Sequence, residues 1–317
     1  MEKIYLDQNI WLDIQLGRNN NSLEVVLKEI NRDKVEIIYS PANIEEICNS
    51  YRSPRVNNKI SLTEKDNLLS LLSQVACDRE IIPYSNNFKV IHSFCGNEGP
   101  FIISEPPEDC FNRVNDKYQS NIFAELAQES SIRKSFDIDE GFKRKIGREN
   151  FAKIIETDSS ANELFFEIFT TKLIHKAAFD YLIKCNVNLH PWSERVDSLL
   201  NSAIFELRSK HSQDFFGMAR EILEKKEKVN ITSRGFGICE AAVDAVMLTM
   251  IEFGYGSKEV SMSSLHDNSH SIYAAYCDLF ITRDGNLLKK LIPAYEFWGI
   301  NTKIINANNE DWHIYLR

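Results

Sequence analysis

The chain opens on a strand, helix, strand pattern, and that order limits its architecture more than any other feature of the sequence. Residues 3–6 (KIYL) and 35–39 (VEIIY) are short runs of β-branched and aromatic residues, and between them Leu23, Val26, Leu27 and Ile30 recur at helical spacing. Strands joined through a helix lie parallel, and a parallel sheet needs helices over its faces. After the second strand, Ser40-Pro41 places a cap residue before a proline at the first helical position, so a helix begins there. A further helix is predicted from Leu62 to Ala76, with Leu68, Leu69, Leu71, Leu72 and Val75 on its apolar face, followed by a short strand at Ile81-Ile82-Pro83. The alternation returns near the other end. AAVDAVMLTMIEF reads as a buried helix, Asn268 to Cys277 as another, DLFIT as a strand, NLLKKLIPAYEFW as a helix and TKIINA as a last strand.

Between these blocks the pattern changes. From Ser85 to Asp109 glycine and proline punctuation (Gly96, Gly99, Pro100, Pro106, Pro107) marks a long loop or a domain crossing. From Cys110 to Lys228 the reading is helical, with candidates at 122–129, 142–155, 162–184 and 194–208; Phe165, Phe166, Phe169, Phe179 and Tyr181 fall at core spacing. The expected architecture is a three-layer α/β/α domain with a central parallel sheet, discontinuous over 1–85 and 236–317, and a mainly helical insertion at 86–235.

Composition narrows the class. A hydrophobic content of 43% is enough for a buried core, and 12 glycines and 8 prolines in 317 residues exclude collagen-like and linker-like chains. The net charge of -9 argues against a wholesale polyphosphate or membrane-surface binder. It allows acidic groups gathered at a metal site, with a local basic patch for an anionic substrate. MEKIYLDQNIW shows no secretory-leader pattern, and no apolar run reaches membrane-spanning length. Cys48, Cys77, Cys95, Cys110, Cys185, Cys239 and Cys277 never form a CxxC pair, so reduced thiols and a cytoplasmic location are expected. Neither HExxH nor a zinc-finger spacing occurs.

Four carboxylates stand at element ends, where an open parallel sheet binds its ligands. Asp7 closes the first strand, Glu46 lies on the helix after the second, Asp267 stands at the start of HDNSHSIYAAYC, and Asp284 follows DLFIT. Carboxylates that cannot neutralise one another call for divalent cations, and oxygen ligands without Cys or His select Mg²⁺ or Mn²⁺. Two such ions about 3.5 to 4 Å apart activate a water and stabilise the leaving oxygen of a phosphodiester.

These residues resemble the motifs of PIN-domain ribonucleases. Asp7-Gln8-Asn9 is similar to the family's Asp-x-Asn at the end of the first strand, with Gln8 where Thr or Ser is usual. Ser40-Pro41 with Glu46-Ile47 resembles the second motif, and HDNSHSIYAAYCDLFITRDGNLLK resembles the third, with Asp267, His270, Ala274, Thr282 and Asp284 in register. The resemblance covers 1–85 and 236–317 and implies a PIN-like fold in which Asp7, Glu46, Asp267 and Asp284 are the catalytic, metal-binding carboxylates. It gives Asn9 and Thr282 supporting roles, and His270 a supporting role at most. The implied activity is Mg²⁺- or Mn²⁺-dependent endonuclease hydrolysis, in line and without a covalent intermediate, with RNA as substrate and DNA as the other candidate. Members of the family are often toxins or defence effectors held in check by an inhibitory protein partner. The alternative from another class is a catalytically inactive PIN-like scaffold or RNA-binding protein.

Plainer readings stand beside these. Asp7 and Asp284 also suit turns, Asp267 suits a helix N-cap, and Glu45 competes with Glu46 as ligand. Asp278 reads as structural, while Asp13 and Asp244 are further candidates. Lys143, Arg144, Lys145 and Arg148, and Lys225, Lys226 and Lys228 with Arg234, either track a phosphate backbone or form solvated helix faces; Glu221, Glu224 and Glu227 interleave the second cluster. A haloacid-dehalogenase phosphatase needs a second Asp where Asn9 stands, and the GFG and GYG glycines lack a dinucleotide fingerprint.

Overall fold

The computed structural model of the chain describes residues 1–53, 59–85, 88–119, 231–237 and 262–317, with a few positions between 239 and 247. The helices expected at 122–129, 142–155, 162–184 and 194–208, the basic residues Lys143, Arg144, Lys145, Arg148, Lys225, Lys226 and Lys228, and Asp244 lie outside the described residues. The contacts divide the chain into two units, of which the first takes in Met1–Ser120, Val229–Asp244 and Glu259–Arg317.

Strand β1 (Glu2–Leu6) is the hub of the first unit. It runs parallel to β2 (Val35–Ile38) on one side and to β6 (Leu279–Thr282) on the other, and β7 (Lys303–Asn306) completes a parallel sheet in the order β2-β1-β6-β7. Ile4 sits opposite both Ile37 and Leu279, so side chains from three strands line up on each face. Ile4, Leu6, Ile37, Leu279, Ile281 and Ile305 belong to the main apolar cluster, while Tyr5 meets the ring of Phe280, its alternating partner on the opposite face.

Two helices connect β1 to β2, where the sequence suggests one. The side chain of Asp7 accepts from the Gln8 amide at the start of α1 (Gln8–Leu16), which buries Ile10, Trp11 and Ile14 and stops at Gly17 in a left-handed conformation, φ 61°. Helix α2 (Leu23–Glu29) follows. Helix α3 (Pro41–Arg52) starts as expected, with Ser40 and Asn43 forming a reciprocal capping box. Helix α4 (Leu62–Ala76) is capped in the same way by Ser61 and Glu64.

The punctuated stretch after Ser85 is not one loop. It holds β4 (Val90–Ser93) and β5 (Phe101–Ser104), which with β3 (Arg79–Ile82) make an antiparallel sheet in the order β3-β5-β4. Helix α5 (Pro107–Gln119) follows and packs on α3. Tyr39 joins the two sheets. Its amide donates to the Arg79 carbonyl (3.0 Å) and its carbonyl accepts from the Ile81 amide (2.9 Å).

Helix α6 (Met262–Ala274) begins ahead of the expected Asn268, so Asp267 lies within the helix and is not its N-cap. Helix α7 (Gly285–Trp298) is capped by Asp284 and ends at Gly299. The unit is therefore mixed α/β, with a four-stranded parallel sheet and seven described helices, an arrangement compatible with three layers. Among the described residues no helix is long and apolar enough to cross a membrane.

Candidate active site

The strand order switches sides at the hub: from β1 the connection leads outward to β2 on one flank, and β6 lies on the other. The carboxyl ends of β1 and β6 therefore form the crevice at which open α/β sheets bind ligands. The Asp7 amide donates to the Ile281 carbonyl (3.0 Å), extending the β1–β6 pairing by one residue and setting Asp7 beside Thr282. The Thr282 hydroxyl donates to Asp7 Oδ2 (2.7 Å) and accepts from the Asp284 amide (3.0 Å), so one buried side chain links the two aspartates. Asn9 Nδ2 donates to the same Asp7 oxygen (3.2 Å), and the Gln8 amide to the other (2.9 Å). Asp284 Oδ1 accepts from the Asn286 and Leu287 amides (2.7 and 3.0 Å), the capping duty that the turn-like sequence TRDGN also suggested.

The other two carboxylates arrive from helices. Asn43 Nδ2 donates to the Leu6 carbonyl (3.3 Å), fixing the start of α3 to the end of β1, and Glu46 follows on the same helix. Glu46 Oε1 lies 2.9 Å from His270 Nε2 on α6. His270 Nδ1 lies 2.7 Å from the Tyr5 hydroxyl, which is 2.6 Å from Ser40 Oγ. Four residues from β1, the start of α3 and α6 thus form one buried relay that ends on Glu46 and singles it out from Glu45. One turn before His270, Asp267 Oδ2 accepts from Lys290 Nζ of α7 (3.1 Å).

The electrostatics follow from burial opposed by these partners. Burial raises the Asp7 carboxyl above its ordinary value, against the pull of His270 and Thr282. Burial raises Asp267 as well, against Lys290, and the neighbouring Asp284 adds to the rise. Burial would also raise Glu46, but its hydrogen bond to His270 outweighs that and holds it below the usual range. His270 moves the opposite way: desolvation alone would lower it, whereas Glu46, Asp7 and Asp267 raise it. Protonation would let it donate from both nitrogens, to Glu46 and to Tyr5.

The four predicted carboxylates therefore share one edge of the sheet and sense one another. They are not drawn tightly together. Among the described residues, the group of three or more acidic, Cys or His ligand atoms all within 4.8 Å of one another is Glu80, Glu105 and Cys110, on β3, after β5 and on α5. That group carries its own compensation. Arg113 Nη2 donates to Glu80 Oε1 (2.9 Å) and Glu105 Oε2 (2.6 Å), and the Cys110 thiol donates to Glu80 Oε1 (3.1 Å). Burial and the Glu105 charge push Glu80 well above the carboxylate range, whereas Glu80 and Arg113 hold Glu105 below it despite burial. One proton and one guanidinium thus balance two carboxyls. A metal ion entering there would have to displace Arg113, and we read the group as a brace between the antiparallel sheet and α5.

Asp278 and Asp13 have partners of their own. Asp278 Oδ2 accepts from the Lys3 amide (2.7 Å) at the opposite edge of the sheet. Asp13 on α1 is buried and pairs with Arg283 (2.9 Å), bracing the segment between Thr282 and Asp284. Arg234 ends a short 3-10 turn, Ile231–Arg234. Sequence reasoning missed Tyr5, Asn43 and Lys290, and it gave Ser40 as a helix cap and motif residue without its bond to Tyr5. For Lys290 a signal existed, because spacing from Leu287, Leu291 and Ala294 puts it on the buried side of α7.

Compared with protein-family models, curated proteins and solved structures, the chain matches none.

Proposed function

We propose that the chain is a PIN-like, Mg²⁺- or Mn²⁺-dependent endonuclease that cleaves RNA. The observation that carries this reading is the Asp7–Thr282–Asp284 linkage at the switch point of the parallel sheet, with Glu46 and Asp267 disposed around it. The donor set suits a hard, hydrated cation. Among the described residues, Glu46 Oε2, Asp267 Oδ1 and Asp284 Oδ2 accept no hydrogen bond, while every other carboxylate oxygen of the set is engaged. Mg²⁺ retains several waters and takes only one or two carboxylates directly, so oxygens spread more widely than 4.8 Å still suffice. A bound ion would lower the pKa of a coordinated water and offset charge developing on the phosphate. The protein's own part is to hold the ligands: Thr282 and Asn9 fix the Asp7 carboxylate, His270 aims Glu46, and the first turn of α7 fixes Asp284.

The test uses the purified full chain with Mn²⁺ on single-stranded RNA, structured RNA and DNA. Cleavage of RNA that disappears in the Asp7→Asn, Asp284→Asn double variant is expected. Failure to cut any of the three, or cleavage undiminished in the double variant, refutes the assignment. The pairing of Asp267 with Lys290 favours a second reading, a non-hydrolytic RNA binder, which requires RNA to be retained uncut in the presence of Mn²⁺.

A further inference from the structure

We propose that Lys290 is a resident cation of this site: it occupies the Asp267 side of the cluster, so that the chain takes up a single divalent ion on the side of Asp7, Glu46 and Asp284. The inference rests on the metal-dependent reading above and gives that site its stoichiometry.

Three observations carry it. The Lys290 side chain is 1% exposed, on the face of α7 that also buries Leu287 and Leu291. A buried ammonium is costly unless it is paired, and its acidic partner here is Asp267, at 3.1 Å. The position is therefore held for its charge. The remaining carboxylates divide unevenly about it. Asp7 and Asp284 are coupled through Thr282 on the β1 and β6 ends, and Glu46 is presented by His270. Asp267 also lies within electrostatic reach of Asp7 and Asp284, and differs from these in having one oxygen already committed to a buried lysine, Lys290. A second divalent ion bridging Asp267 and Asp284 would lie close to a fixed ammonium that burial keeps from swinging away, and like charges at short range in a poorly solvated site repel strongly. With Lys290 opposite Asp267, three carboxylates are left, and one divalent cation offsets most of their charge.

Lys290 is thus a positioning residue that acts through Asp267, with its Nζ buried against that carboxylate. Mn²⁺ titration of the full chain, followed by calorimetry and electron paramagnetic resonance, tests this without any substrate. The wild type should bind one equivalent with a mononuclear six-line spectrum. Lys290→Met should bind a second equivalent and show an exchange-coupled signal, while Lys290→Arg should keep the single ion. Should Lys290→Met fail to fold, Asp267→Asn decides. It should weaken Mn²⁺ binding clearly less than Asp7→Asn does, for which a loss of about 10-fold or more is expected. Two ions in the wild type, one ion in a folded Lys290→Met, or equal losses in Asp267→Asn and Asp7→Asn each overturn the inference. Absence of any Mn²⁺ binding overturns both this and the nuclease reading. One bound ion without RNA cleavage overturns only the latter.

Discussion

Replacing Thr282 with valine removes one hydroxyl from the junction of the two central strands and changes little else in shape. Thr282 is fully buried, and that hydroxyl serves both the Asp7 carboxylate and the Asp284 amide. A hydrogen bond to a charged group contributes about 1.5–3 kcal/mol, and a partly buried amide left unpaired adds about 1 kcal/mol, so Thr282→Val should cost about 2.5–4 kcal/mol. For a unit of this size that lowers Tm by on the order of 5–15 °C. Guanidinium unfolding at pH 7, read through the buried Trp11, Trp298 and Trp312, should show the loss as a lower midpoint at unchanged slope. The pH dependence carries the sign of the cause. Asp7 is already raised by burial, and Thr282 is one of the groups pulling it down. Removing Thr282 therefore penalises the ionised form further. The deficit should be largest at alkaline pH and shrink as the pH falls through the raised folded-state value of Asp7, above the ordinary aspartate value, because the unfolded state is common to both proteins and cancels. Thr282→Ser keeps the hydroxyl and loses a methyl, about 1 kcal/mol. A Thr282→Val variant within about 0.5 kcal/mol of wild type, or Thr282→Ser as damaging as Thr282→Val, would refute the reasoning.

Two further outcomes follow from the second sheet and its turns. Because Glu80 is pushed upward, its contribution to stability is greatest in acid and is lost as pH rises from about the free glutamate value through the raised one. Glu80→Gln supplies a neutral donor in its place, so urea midpoints measured from pH 5 to 8 should fall less with pH than in wild type; an unchanged slope would show that Glu80 is ionised. Gly99 adopts φ 63°, and a Cβ there would lie 2.2 Å from the Pro83 carbonyl and 2.9 Å from the Phe101 ring. Gly99→Ala should cost at least about 2 kcal/mol in thermal melts, whereas Gly299→Ala, at the same φ with open space around it, should cost about 1 kcal/mol; equal losses would argue that the Cβ contact is relieved at no cost.

Elements carrying a local stop or start signal were legible in the sequence. Helix α4 runs from Leu62 to Ala76 as its capping box and apolar face dictate, and α3 starts at the proline after Ser40. What escaped depended on distant partners. Helix α1 buries Ile10, Trp11 and Ile14 but is short and stands directly behind an Asp-Gln-Asn that resembles a turn. Strand β4 exposes Val90, Ile91 and His92 together, so it has no alternation to read and exists because β5 pairs with it. Asp7 and Asp284 could be placed from local signals, a strand end and a helix cap, whereas Glu46 and Asp267 lie within helices and were singled out by the motif resemblance. The relay from Ser40 through Tyr5 and His270 to Glu46 was not legible, since its partners lie up to 265 positions apart. Lys290 escaped because it shares a doublet with the exposed Lys289 in a helix otherwise read for its leucines.

Tyr39 is the residue through which the backbones of the parallel and antiparallel sheets meet, and its hydroxyl also donates to the Glu105 carbonyl (2.6 Å). A joint one residue wide makes its two amide hydrogens natural clocks. If the antiparallel sheet opens as a separate cooperative unit, the Ile81 amide exchanges with solvent deuterium faster than the Asp7 amide held between β1 and β6. If both exchange at one rate, the two sheets unfold together, and the crevice at Asp7 inherits the full rigidity of both.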